Sequence, residues 1–516
     1  MPNRRQLLSH ATGLAALATL SASSGTPLEP GSQPPVTSQD LTRLSALGLS
    51  ATIHRRDVSC REVLDAYLTQ IERFNPTINA IVSQAPTEHL QKLADDRDAE
   101  LRRGRSRGWM HGMPVAVKDL ADAVGFPTTA GSPLFVKDLP KADSIHVARM
   151  RAAGAVFIGK TNVPEFGLGS QSYNRVFGTT GNAYDATLTA GGSSGGAAAA
   201  LALGMVPVAD GSDFMGSLRN PAAFNNVIGF RPTPGLVPLG DDFIEELACN
   251  GPMGRTVSDA ARLLATLAGA DPRSPASFPS QPDRYNAPLT RDWQGTRIAW
   301  LGDLNGYLPM ETGLLDHCGK AIDGFETLGC TVDAVLPDYA PERLWKTWLT
   351  FRHWLTRAWA KPLLDNPTTR AQLKPELVWE CEGGAALTGD DIAAASKDRA
   401  AWYAALLTLF ERYDALVLPT TQVYPFAKTE HWPKAIGTRS MDTYHRWMEV
   451  VTPGTLAGCP VLNLSVGLGA NGLPAGIQLI GRRYADLELL QLGFAYEQAT
   501  RYNLDRRPPQ LEAPPA

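Results

Sequence analysis

The sequence predicts an α/β protein, a β-sheet covered by helices within one large domain over residues 39–505. Three observations carry this. A helical pattern followed by a short apolar strand pattern recurs, over residues 144–158 and again over 197–209. No Pro/Gly-rich linker divides residues 40–505 and no internal repeat is present, although 516 residues at about 150 per domain would leave room for three domains. Hydrophobic residues are 44% of the chain and charged residues 19%, enough to bury a large core and to exclude global disorder.

The elements follow in order. Ser59-Cys60-Arg61-Glu62 is a capping-box pattern, and Val63, Leu64, Tyr67, Leu68 and Ile71 form an apolar helical stripe behind it. That stripe is expected to stop at Asn75-Pro76. Residues 114–117 read as a short buried strand ending at Lys118-Asp119. Ser144 caps a helix running to Gly154, and residues 155–158 follow as a strand. An alanine-rich helix over 197–203 stops at Gly204, and residues 205–209 follow as the next strand. Residues 300–400 are more helical and more charged and are expected to form a lobe. Within it, Leu344, Trp348, Phe351 and Leu355 keep helical spacing in a segment that also holds Trp345, Trp354 and Trp359. Core packing explains that segment, and so does an aromatic wall for an apolar or aryl substrate.

Composition narrows the function. Net charge is −4, from 48 basic and 52 acidic residues, unlike the basic footprint of a nucleic-acid binder. The six cysteines form no CxxC pair and no disulfide framework, and the histidines contain no HxxxH or HExxH. A zinc hydrolase is therefore not expected, and no metal or other cofactor is expected.

The chemistry is expected in two segments. Gly191-Gly192-Ser193-Ser194-Gly195-Gly196 enters the alanine-rich helix directly, which a flexible linker does not do. It is neither a Walker A loop nor GxGxxG. A Gly-rich turn of this kind directs backbone N–H groups toward one point. The second segment, residues 210–221, is expected to follow the strand as a polar, glycine-containing turn, where α/β enzymes place reacting groups. A serine there needs a base and an oxyanion site, and the successive N–H groups of Phe214, Met215, Gly216 and Ser217 supply one. Taken singly, a strand-end lysine is ordinarily solvated and a serine in a Gly-rich turn is ordinarily a cap.

Together these segments resemble the amidase signature family. Residues 191–196, 213–221 and Gly229-Phe230-Arg231-Pro232-Thr233 match its signature region, and Val115-Ala116-Val117-Lys118-Asp119 matches its catalytic-lysine segment. Further matches are Gly159-Lys160-Thr161-Asn162, residues 251–257 and residues 472–481. Lys118 lies 75 positions before Ser193, and Ser193 lies 24 before Ser217, as the family's spacing requires. The resemblance implies a single domain with a mixed central β-sheet and hydrolysis of a small-molecule carboxamide, giving an acid and ammonia or an amine. It implies Ser217 as nucleophile, Ser193 as a bridging serine after a cis peptide bond at Gly192, and Lys118 as base. Ser194 supports the triad by hydrogen bonding, and Asp213 and Arg219 flank the nucleophile and pair to stiffen its turn. One departure is Met215-Gly216, where the family commonly has two glycines; it places a side chain beside the acyl site.

Lys118 must lose its proton to serve. The apolar run before it is expected to desolvate it, and the N–H dipoles of the Gly-rich turn to oppose its charge. Asp119 is expected to face the other way, since strand neighbours alternate. The alternative function is the amidase component of a tRNA-dependent amidotransferase, which works only with partner proteins.

Arg4-Arg5 precedes the mildly apolar run 11–20 and the small residues 21–24. This order predicts a twin-arginine signal peptide over residues 1–24 and a periplasmic or secreted protein, with no stable membrane insertion. A proline-rich linker is expected over 25–38 and a disordered tail over 506–516.

Overall fold

The structure, a computed structural model, describes residues 38–240, 242–243 and 247–512. The expected signal peptide and nearly all of the linker lie outside the described residues. In chain order the strands that build the site are β1 (Ile81–Val82), β2 (Pro114–Lys118), β3 (Val156–Thr161), β4 (Val208–Asp213), β5 (Ile228–Arg231) and β6 (Cys249–Gly254). They continue as β7 (Arg297–Trp300), β8 (Thr331–Ala334), β9 (Ala415–Pro419), β10 (Val461–Leu468) and β11 (Pro474–Ile480). Eight of them form one sheet in the order β8-β7-β9-β11-β10-β5-β6-β4. Its β8-β7-β9 end is parallel and every other pair is antiparallel, so the sheet is mixed. Beside it, β1-β3-β2 make a small second sheet, with β2 and β3 parallel.

The helices used below are α1 (Cys60–Ile78), α2 (Gly195–Ala202), α3 (Arg219–Asn225), α4 (Glu342–Asp365), α5 (Pro375–Ala385) and α6 (Gly389–Phe410). Both halves of the α1 capping box form, between Ser59 and Glu62. The helix runs past the expected stop at Asn75-Pro76 and ends at Asn79, in the left-handed region at φ 56°. Proline in the last turn removes only one N–H, and Asn tolerates the terminating conformation.

Boundaries moved most at β4. Sequence placed its end at Ala209, because polar residues follow; the strand in fact continues to Asp213. Its polar residues pair in register with β6, Asp210 opposite Pro252 and Ser212 opposite Asn250, so the backbone is satisfied inside the sheet. The tail differs as well. Residues 506–512 pack on the body instead of hanging free: Pro509–Leu511 form a 3-10 turn, and Gln510 Nε2 donates to the Tyr184 carbonyl at 3.1 Å. Asn226 holds the Arg506 carbonyl at 2.8 Å, an anchor that the proline content did not reveal.

Three apolar clusters fill the interior of the described residues, the smallest of them around Leu168, Leu364 and Leu377. The largest includes Tyr67, Val115, Leu201, Val208, Leu218 and Phe230. The second includes Met215, Trp348, Trp402, Leu416 and Trp447 and joins α4 and α6 to the β7-β9 end of the sheet. Leu344, Trp348, Phe351 and Leu355 are all buried there, while Trp359 is 47% exposed.

Candidate active site

Lys118 closes strand β2, where every residue is buried, and is itself 1% exposed. Its backbone N–H donates to Asp210 Oδ1 at 3.0 Å, which ties the small sheet to β4, the edge strand of the large one. Lys118 Nζ lies 2.8 Å from Ser193 Oγ, 2.8 Å from Ser194 Oγ, 3.0 Å from Ser212 Oγ and 3.3 Å from the Ser212 carbonyl. Burial lowers the Lys118 pKa to about 7, and the carboxylates of Asp210 and Asp213 pull against that shift without reversing it. Once neutral, the amine offers a lone pair to a serine hydroxyl that now donates.

Asp119 faces away, as strand alternation requires: its carboxylate takes the Thr129 N–H at 3.1 Å and stands 3.7 Å from Lys160 Nζ. The Gly-rich turn corrects another expectation. Four of its N–H groups are engaged away from the lysine: Gly191 N donates to Thr189 Oγ1 (3.1 Å), Ser194 N to the Ser217 carbonyl (3.3 Å), Gly195 N to Ser172 Oγ (3.1 Å) and Gly196 N to the Asn162 carbonyl (3.1 Å). Desolvation carries the shift.

Those glycines serve close packing. A Cβ on Gly196 would stand 2.5 Å from the Ala80 carbonyl oxygen, and one on Gly192 would stand 2.9 Å from Gln171 N. The Gly192–Ser193 peptide is cis, and Ser170 Oγ donates to the Gly192 carbonyl at 2.6 Å.

Ser217 sits in the turn between β4 and α3 and is 6% exposed. Among the described residues its hydroxyl makes no hydrogen bond to Ser193; the two segments meet through the Ser194–Ser217 backbone bond. The turn hangs on Asp213. Arg219 Nε and Nη2 reach the two Asp213 carboxylate oxygens at 3.0 Å each, and Arg231 stands 3.6 Å away. All three side chains are fully buried. Burial favours the neutral acid, but the Arg219 and Arg231 guanidiniums hold Asp213 well below the usual carboxylate range.

Asp213 also takes the Gly216 N–H at 2.8 Å and the Leu218 N–H at 3.2 Å. This removes Gly216 from the expected oxyanion donors. Among the described residues the N–H groups of Phe214, Met215 and Ser217 remain without a protein acceptor. Gly216 has φ +80°, a conformation that suits glycine, whereas Met215 beside it turns its side chain into the second cluster.

Sequence reasoning gave no role to Ser212, to Asp210 or to the residues behind them. Asp210 Oδ2 lies 3.3 Å from His146 Nε2, and His146 Nδ1 lies 3.2 Å from Asn250 Nδ2. Asp210 and Ser212 are two apart on one strand, so they share a face. Ending the strand at Ala209 concealed that signal, and nothing in the sequence pointed to His146.

Aromatic side chains border the turn. Phe214 meets Trp348 edge-on at 5.3 Å, and the Arg352 guanidinium, itself paired with Glu380 at 3.0 Å, lies 4.8 Å over the Phe214 ring. Segment 165–169 forms a wall. A Cβ on Gly167 would lie 3.6 Å from Ser193 Oγ, while Lys374 holds the Leu168 carbonyl at 2.8 Å from the other side. Behind it opens a cavity of about 620 Å³, lined by Tyr173, Lys374, Trp379, His431, Trp432 and Tyr444 among others.

A family model described as Amidase matches residues 62–490. The chain belongs to the amidase signature family. It is 32% identical over 480 residues to the acylamidase of Rhodococcus erythropolis, covering 92% of this chain and 98% of that protein. It is 33% identical over 499 residues to a glutamyl-tRNA(Gln) amidotransferase subunit of Chloroflexus aurantiacus, covering 90% and 99%. Among solved structures it resembles a bacterial aryl acylamidase of the amidase signature family, with TM-score 0.82 and 29% identity over 89% of this chain and 97% of that one. It also resembles the peptide amidase of Stenotrophomonas maltophilia, with TM-score 0.75 and 28% identity over 91% and 99%. This amidase is thus a hydrolase of amide C–N bonds. Among its described residues no group of three or more His, Cys, Asp or Glu side chains is placed to hold a metal ion, and no helix is long and apolar enough to cross a membrane. All six cysteines are unpaired and buried.

Proposed function

We propose that this amidase cleaves a small-molecule carboxamide through an acyl-enzyme on Ser217, with Ser193 and Lys118 relaying the proton. The observation that carries the reading is the 2.8 Å contact between a fully buried Lys118 Nζ and Ser193 Oγ. Ser217 Oγ attacks the carbonyl carbon and gives its proton to Ser193, which passes its own to neutral Lys118. The Ser193–Ser217 hydrogen bond forms as substrate fills the site; catalytic contacts commonly tighten only in the complex. The N–H groups of Phe214, Met215 and Ser217 receive the developing oxyanion. The proton returns by the same route to the departing nitrogen, and water then releases the acid.

An aryl or apolar acylamide is the substrate class we favour. Phe214 and Trp348 beside the turn support it, as do the acylamidase and the aryl acylamidase that the chain resembles. We further propose that the protein is exported by the twin-arginine route, on the strength of Arg4-Arg5 and the apolar run behind them. The likeness to amidotransferase subunits favours a second reading, a component that works only with partners. The test is treatment of the purified single chain with a serine-reactive aryl phosphonate, followed by peptide mass spectrometry. A single adduct on Ser217, together with anilide hydrolysis, is expected. An adduct on Ser193 or Ser194 refutes the assignment of the nucleophile, and activity that emerges only with a second protein favours the amidotransferase reading.

A further inference from the structure

We propose that a second pocket, at the ends of α2 and α3 remote from the catalytic serines, binds a small multivalent oxyanion such as phosphate or a compact polycarboxylate. The pocket has a volume of about 230 Å³. Four arginines line it, brought together from distant parts of the chain: Arg43, Arg73, Arg255 and Arg507. No acidic side chain is among its lining residues; the remainder are apolar or neutral polar, including Asn226 and Asn503. Four guanidiniums around one cavity repel one another, and their N–H forks are the donors that an anion with several oxygens pairs with.

The described residues meet part of this charge. Arg43 faces Glu512 at 3.5 Å, but that carboxylate lies at the rim with its side chain 69% exposed. Arg255 Nη1 donates to the Val206 carbonyl at 3.1 Å, and Arg73 Nη2 to the Gln510 carbonyl at 3.1 Å, so neutral acceptors help to orient these two. Asp259 lies near Arg255, outside the lining. Among the described residues Arg507 has no ion pair within 4.0 Å; burial, Arg255 and Arg43 lower its pKa, and the carboxylates of Glu512 and Asp505 pull against that shift. An anion would meet all four arginines and would join the first helix (Ser38–Arg43), α1, the segment after β6 and the C-terminal segment.

The site is separate from the catalytic one. Its lining includes Ala202 and Gly204 at the far end of α2, and Asn225 and Asn226 at the far end of α3. Ser193 and Ser194 precede the near end of α2, whose 8 residues span roughly 12 Å. Ser217 stands likewise before the near end of α3.

The test is isothermal titration of the full chain with inorganic phosphate and, separately, with citrate, at constant ionic strength in chloride buffer. One saturable site per chain is expected, and the stronger of the two probes distinguishes a phosphate-type from a polycarboxylate ligand. The exposed pair substituted together, Arg43→Gln with Arg507→Gln, is expected to keep the wild-type melting temperature in chloride and to weaken binding at least tenfold. Absence of saturable binding for both probes overturns the proposal, as does unchanged affinity in the double variant. Phosphate competing with the amide substrate would place the anion in the catalytic pocket and would also overturn it.

Discussion

Removing Lys118 tests the proton relay most directly. Its pKa is lowered from 10.5 to about 7 by burial. At pH 7 a lysine titrating at 10.5 is about 0.03% neutral, whereas one titrating at 7 is about half neutral, a gain of roughly a thousandfold in available base. The expected profile of kcat/KM rises with unit slope from about pH 5.5, bends near neutrality and is flat above about pH 8. Lys118→Ala should erase that limb and cost about 10²–10⁴ in rate, more for an anilide than for the matched phenyl ester, because the poorer leaving group depends more on the returned proton. Stability should carry the same signature. The folded value lies below the unfolded one, so between about pH 7 and about pH 10.5 the unfolded chain binds the extra proton and stability rises with pH. The slope from this group approaches about 1.4 kcal/mol per pH unit, is absent below about pH 7, and is lost in Lys118→Met. The assay is the pH dependence of kcat/KM on the matched amide and ester, with denaturant melts across the same range. A mutant that keeps the acidic limb and loses both activities equally makes Lys118 a structural residue and refutes the relay.

Ser217→Ala should lower turnover by several orders of magnitude at an unchanged melting temperature, measured by anilide hydrolysis and circular dichroism. Arg219→Met leaves Asp213 buried with Arg231 3.6 Å away, and a chemical denaturation series should show a loss of about 3–5 kcal/mol. Gly196→Ala sets a methyl against the Ala80 carbonyl at 2.5 Å and should displace the start of α2, lowering both stability and kcat. Replacing Arg4 and Arg5 with lysine should hold the precursor in the cytoplasm, as cell fractionation would report; normal export of that variant excludes the twin-arginine route.

How much of this was legible in the sequence depended on the kind of constraint. Local signals read well: the capping box at Ser59, the buried strand ending at Lys118 and the stop at Gly204 each depend on neighbouring residues. The order β8-β7-β9-β11-β10-β5-β6-β4 did not, because strand pairing links residues hundreds of positions apart. The same limit applied in the site. Spacing and motif brought Lys118, Ser193 and Ser194 to attention, but the engagement of Gly216 N–H by Asp213 is a feature of turn geometry. Burial of polar β4 misled the reading of its end, since Asp210 and Ser212 look like turn residues until Lys118 and β6 are seen to satisfy them.

The turn that carries Ser217 is held from three directions, and this bears on how the proposed nucleophile would act without a histidine. Met215 is fixed in the second apolar cluster and Leu218 in the first, so the residues on either side of Gly216-Ser217 are anchored in different clusters of the core. Asp213 binds two N–H groups of the turn while Arg219, the first residue of α3, binds Asp213 back. Arg219 also donates to the Val451 carbonyl at 2.9 Å and to Gln478 Oε1 at 2.8 Å, which ties the turn to β11 at the centre of the large sheet. A lysine base is useful only when dry, and a dry lysine is tolerated only where fixed hydroxyls and carbonyls replace its water. The same packing that excludes water from Lys118 thus fixes the serines around it, and preorganisation of the proposed nucleophile and base arises from one set of contacts. Loosening the Asp213–Arg219 pair should therefore raise the Lys118 pKa as well as displace Ser217. A conservative Arg219→Lys variant that remains folded should move the acidic limb of the rate profile toward higher pH while lowering its plateau. An unmoved limb with a lowered plateau would show that the turn and the lysine are held independently.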